Sequence, residues 1–153
     1  MMELTRSGPV YEGVKLVDEV LGDTQQTALV LTCLPEQMPV AETLDLHRRL
    51  GPRRPQVAAC ILNEVTPAPL EPIQDWDAAL PTLQQTELPG LRESIALTQS
   101  WVDRVRRQDE YRVQLQDGLQ VPVVDLRLLS QRHLSLAHLS ELSEALGQGL
   151  EVG

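Results

Sequence analysis

The sequence predicts an α/β fold, a single domain over residues 1–153 with a mostly parallel sheet of about three strands flanked by helices. Three observations predict it. "TALVLTCL" (27–34), "QVAACILNEV" (56–65) and "VPVVDLRL" (121–128) are short apolar runs rich in β-branched residues, as expected of strands buried on both faces. The segments between them repeat apolar residues at helical spacing. Proline and glycine mark the junctions. Such alternation is how parallel strands are joined, because each parallel pair needs a crossover.

Each element has its own local signal. "GPVYEGVKLVDEVLGD" (8–23) puts Val10, Val14, Val17 and Leu21 on one helical stripe, and Gly22 is a stop. In "PEQMPVAETLDLHRRLG" (35–51), Pro39 suits a first turn, Gly51 suits a C-terminal stop, and Asp45 and Arg49 form an i,i+4 pair on the wet face. Residues 66–89 hold Pro67, Pro69, Pro72, Pro81 and Pro89, so any helix there is short, around "IQDWDAAL". "PGLRESIALTQSWVDRVRRQDEYRVQLQDG" (89–118) is one long helix with Leu91, Ile95, Val102 and Val105 on its apolar face. A last amphipathic helix, "SLAHLSELSEALGQ" (135–148), takes Ser135 as its N-cap.

Composition narrows the function classes. The chain has 153 residues, 42% of them hydrophobic, which is enough for one globular core. There is no Phe, so Leu, Val, Ile and Ala must build that core. A formal net charge of -9 argues against binding nucleic acid or an anionic membrane surface. No stretch reaches the roughly 20 apolar residues of a membrane span, and membrane insertion is not expected. The two cysteines, Cys33 and Cys60, lie inside predicted strands without zinc-type spacing and read as buried free thiols. Together these features suit a reducing, cytoplasmic setting.

Several candidate sites carry bland readings. His133 and His138 are spaced wrongly for one helical face, so metal binding is not expected. "DWD" (75–77) and Asp109–Glu110 offer paired carboxylates without signs of burial. Ser100, Ser130 and Ser135 lack a nucleophile-elbow context. Arg104 and Arg107 share a helix face, either to meet a phosphate or as a solvated surface. Trp76 and Trp101 read as packing anchors. Asn63 is the odd residue: a carboxamide ending an apolar strand. It either presents its donor and acceptor to a ligand or turns the chain after the strand.

Motif order now becomes informative. Thr32, Pro35 and Glu36 form a Thr-x-x-Pro-Glu turn after the first strand. Glu42 and Thr43 lie in the next helix, and the second strand ends Leu62-Asn63-Glu64-Val65. "RVRRQDEYRVQLQ" and "VPVVDLRLL" follow. In this order the motifs resemble the second half of the ArsA-type ATPases, the arsenite-pump family, across nearly the whole chain. The resemblance implies a partial P-loop-NTPase-like three-layer sandwich. It implies an ATP site in which Asn63 meets the adenine base with Glu64 beside it. Arg127 and Leu128 would lie in the second contact loop, Arg127 standing where the family places a proline.

The family's front half is not represented. No G-x-x-x-x-G-K-[ST] loop occurs, and the single lysine is Lys15. A phosphate loop cradles phosphates with backbone N–H groups and a lysine. ATP hydrolysis by that route therefore requires an N-terminal half that supplies this loop and the magnesium ligands. The expected partners are that half or a homodimer mate. The family's CxxC pair and Met-rich insertion are also missing, so delivery of membrane proteins is not expected. The alternative reading is a catalytically inactive α/β module for interaction or dimerisation.

Overall fold

The computed structural model describes residues 8–68, 74–85, 90–129 and 133–150. In chain order it contains α1 (Pro9–Gly22), β1 (Leu29–Cys33), α2 (Gln37–Arg49), a 3-10 turn (Gly51–Gln56), β2 (Val57–Val65), α3 (Gln74–Gln84), α4 (Leu91–Leu119), β3 (Val123–Arg127) and α5 (Leu136–Leu150). The three strands form one parallel sheet in the order β1-β2-β3, so β2 is central. Ser130, Pro69, Pro72 and Pro89 lie outside the described residues.

One face of the sheet carries the main core. Leu31, Cys33, Cys60 and Leu62 pack there with Val40 of α2 and Leu115 and Leu119 of α4. Leu62 and Leu115 are fully buried. A second cluster joins Trp76 of α3 to Ile95 and Val102 of α4. The other face is partly covered by α5, which packs on β3; Gly149 allows this approach, since a Cβ there would lie 2.5 Å from Val124 Cγ2.

Local chemistry explains the boundaries. Pro9 opens α1, where a missing N–H costs nothing. Gln120 ends α4 in the left-handed region at φ 58°, with its N–H donating to the Gln116 carbonyl. The Ser135 hydroxyl accepts from the His138 N–H at 3.4 Å, the expected N-cap contact. Asp45 pairs with Arg49 at 2.6 Å and also with Arg48. A 3-10 turn follows α2, where the sequence predicts only a stop at Gly51. Gly51 enters it at φ 53°, and the Arg54 guanidinium donates to the carbonyls of His47 and Arg48 at the end of α2.

The α1 stripe forms but is not buried. Val10, Val14, Val17 and Leu21 are all exposed, and no α1 residue is buried. Asp18 meets Arg53 at 2.6 Å, and the Leu21 carbonyl accepts from Gln56 Nε2 at 2.6 Å. These polar ties hold the helix to the body while its apolar side stays bare.

Candidate functional site

All three strands run the same way, so their carboxyl ends lie along one rim of the sheet, where open α/β sheets bind ligands. A cleft of about 250 Å³ opens there. The turn from β1 into α2 forms one wall through Leu34, Pro35, Glu36 and Gln37. Opposite it, α4 contributes Arg104, Arg107, Gln108 and Tyr111, and the strand ends supply Glu64, Thr66 and Leu128. The Pro35-Glu36 part of the sequence motif is therefore structural and local to the cleft. Thr32, Glu42 and Thr43 instead line a separate groove of about 380 Å³ with Cys33, between β1 and α2.

A bulge at the end of β2 sorts its last residues. Pairing with β3 slips between Leu62 and Val65, and Glu64 adopts φ 60°. Such a left-handed backbone is uncommon in a residue other than glycine. The extra residue returns Val65 to the core face used by Leu62. Glu64 is thereby delivered to the cleft. Asn63 follows Leu62 by one residue and so projects from the opposite face of the sheet. It is half-buried, and its side chain makes no hydrogen bond with a described residue.

The four residues singled out by sequence thus separate into two groups. Glu64 and Leu128 line the cleft on the α4 side. Arg127 is held by α5: its Nε lies 2.5 Å from Glu141 Oε1, and its Nη2 donates to Oε2 at 2.6 Å. That fork occupies the guanidinium edge and leaves its planar faces for stacking. Asn63 stands on the α5 side of the sheet, away from the cleft.

Sequence reasoning missed the groups that fix the rim. Gln108 is buried and clamps the loop after β2: its Oε1 accepts from the Thr66 N–H at 3.0 Å and its Nε2 donates to Thr66 Oγ1 at 3.2 Å. Trp101 Nε1 donates to the Pro67 carbonyl at 3.0 Å. This tryptophan is a tether, half in water, whereas Trp76 is the packing anchor expected. A buried Gln on an otherwise apolar helix face was the available signal. Arg104 and Arg107 form no ion pair with a described residue, while Arg106 pairs with Asp77 and Arg112 with Asp109 and Asp125.

Other candidates are structural. Cys33 and Cys60 are buried free thiols. Burial pushes both up, Cys60 to about 12, with the neighbouring Cys33 adding to the effect. They therefore remain protonated and are poor nucleophiles and poor metal ligands. Among the described residues no cluster of three His, Cys, Asp or Glu side chains could hold a metal. No helix among them is long and apolar enough to cross a membrane.

Comparison with known proteins finds relatives that are named as ATPases. The chain is 32% identical over 159 aligned positions to the ATPase BagA of Mycobacterium tuberculosis, and equally to a protein of Mycobacterium bovis that carries the provisional name of an ATPase. Each match takes in 95% of this chain and 46% of the relative, so the chain spans about half the length of these relatives. No protein-family model matches it.

Proposed function

We propose that this chain forms the adenine side of an ArsA-like, anion-transporting ATPase, with phosphate binding and hydrolysis supplied by a second stretch of polypeptide. The observation that carries the reading is Asn63. It is a half-buried carboxamide with no partner among the described residues, at the carboxyl end of the central parallel strand. Its donor and acceptor match the amine and ring nitrogen on one edge of adenine. Arg127, already oriented by Glu141, would offer a flat face to the base from the neighbouring strand end.

The remaining residues fit only this share of the work. Lys15, the one lysine, is spent on a surface pair with Glu19 on α1. No described carboxylate cluster suits magnesium. The phosphates and the metal therefore belong to the other half, and this chain binds and orients the base. We take cytoplasmic ATP as the nucleotide.

Fluorescent ATP titrated against this chain, assembled with a phosphate-binding half, tests the reading. Asn63→Ala should weaken binding about tenfold, the equivalent of one well-made polar pair at roughly 1.4 kcal/mol. An unchanged Kd rejects the adenine assignment. The bare α1 stripe favours the second reading, a non-catalytic interaction module, which predicts no ATP binding by any assembly.

A further inference from the structure

The cleft at the sheet rim opens on the α4 side, across the sheet from Asn63, and the adenine reading makes no use of it. We propose that this cleft binds a small zwitterion with an apolar body, an amino acid or short peptide. Its ammonium group meets Glu36 and Glu64, and its carboxylate meets Arg104 and Arg107.

The charges of the cleft face each other without meeting. Glu36 stands at the entry to α2 on one wall, Glu64 at the end of β2, and Arg104 and Arg107 on α4 opposite. The two arginines are three residues apart on one helix and so share a face. None of the four side chains forms an ion pair with a described residue, although Arg106 and Arg112 of the same helix find Asp77, Asp109 and Asp125. Cations and carboxylates that line one cleft beyond each other's reach leave a gap. A ligand with opposite charges at its two ends closes it: carboxylates accept from an ammonium, and guanidinium forks donate to a carboxylate.

The backbone is arranged to hold this geometry in advance. Glu64 occupies the left-handed region at φ 60°, and the bulge there turns its side chain into the cleft. Bulges re-aim side chains beside functional sites, and strained torsions of this kind gather at ligand clamps. Buried Pro35 sets the turn that carries Glu36. Buried Gln108 uses its Oε1 and its Nε2 on Thr66, fixing the loop between Glu64 and α4. A rim fixed in this way loses little freedom when a ligand arrives.

Size and charge select the ligand. The cleft holds about 250 Å³, below the roughly 300–1,000 Å³ of sites for drug-sized molecules. Leu34 and Leu128 offer it apolar contact. A bare oxyanion suits the arginines but is repelled by Glu36 and Glu64 and by a formal net charge of -9. A bare amine suits the glutamates but is repelled by the arginines. Only a ligand that carries both charges satisfies both walls.

Isothermal titration of this chain with L-leucine and with L-leucyl-L-leucine tests the proposal. Binding of either supports it, and the tighter of the two tells a free amino acid from a peptide. N-acetyl-L-leucine and L-leucine methyl ester each lack one charge and should bind about tenfold more weakly, or weaker still. Arg104→Gln with Arg107→Gln should weaken the zwitterion by a similar factor. Glu36→Gln with Glu64→Gln should weaken it too, yet improve N-acetyl-L-leucine, a reversal that a general loss of structure would not produce. All four side chains are exposed, so both variants should melt as the parent does. Excess ATP should not displace either probe, which keeps the result separate from the Asn63 reading. The proposal is overturned if neither probe binds, if a one-charge analogue or inorganic phosphate binds as tightly, if the variants bind unchanged, or if ATP competes.

Discussion

Arg112 on α4 donates from Nε to Asp125 Oδ2 on β3 at 2.9 Å, while Asp125 Oδ1 is buried without a partner. The carboxylate is half-compensated. Burial raises its pKa, Arg112 opposes the rise, and the nearby Asp109 charge adds to it.

The sign of the pH effect follows. A carboxyl whose folded pKa lies above its ordinary value of 3.8 binds a proton in the native state first as pH falls. The native state is therefore favoured on protonation, and the Asp125 contribution to stability falls as pH rises through the folded pKa. Urea melts should show the parent gaining on Asp125→Asn as pH drops from neutrality toward 3.8. Parallel curves for the two proteins would contradict this account.

The thiols act in the alkaline range. Unfolded cysteine ionises near 9.0, whereas folded Cys60 holds its proton to about 12. Stability should fall as pH climbs between these values, because only the unfolded state releases the proton. At neutral pH, a thiol-counting reagent should modify neither Cys33 nor Cys60 until denaturant is added. Prompt labelling of the native chain would show that the strands open.

Packing between α5 and β3 depends on a missing side chain. Gly149→Ala would place a Cβ against both Val124 methyl groups, a β-branched residue that has few rotamers to yield. Overpacking should cost about 1–3 kcal/mol, less roughly 1 kcal/mol of improved helix propensity. Val124→Ala in the same chain should recover much of the loss, giving a measurable coupling in a double-mutant cycle of thermal melts. Additive effects would place α5 elsewhere.

The central strand and α1 should respond in opposite ways to truncation. Leu62→Ala empties a fully buried site and should cost about 2–5 kcal/mol. Val14→Ala on the exposed stripe should change chain stability by less than about 0.5 kcal/mol. Equal losses would mean that α1 is packed in solution.

Much of the architecture was legible because each element carries local chemistry. β-branched runs ended by Pro35 or preceded by Pro122 mark strands, and Pro9, Gly22 and Ser135 mark helix ends. Periodicity told which side of α1 is apolar; it carries no information on what lies against that side. The bulge at Glu64 was not legible either. Simple alternation puts Leu62 and Val65 on opposite faces, and only a left-handed glutamate brings them together. That single backbone torsion decides which residues enter the cleft. Arg127 shows the same limit, since its Glu141 partner lies 14 residues away in the sequence.

The most direct test of the adenine assignment is photolabelling with ATP that carries an azide on its base. The chain is assembled with the phosphate-binding half proposed for it, irradiated and mapped by peptide mass spectrometry. The account predicts adducts on the segment from Val57 to Thr66 and near Arg127, suppressed by excess ATP. Adducts confined to the other half, or to the cleft wall formed by Arg104 and Arg107, would contradict it.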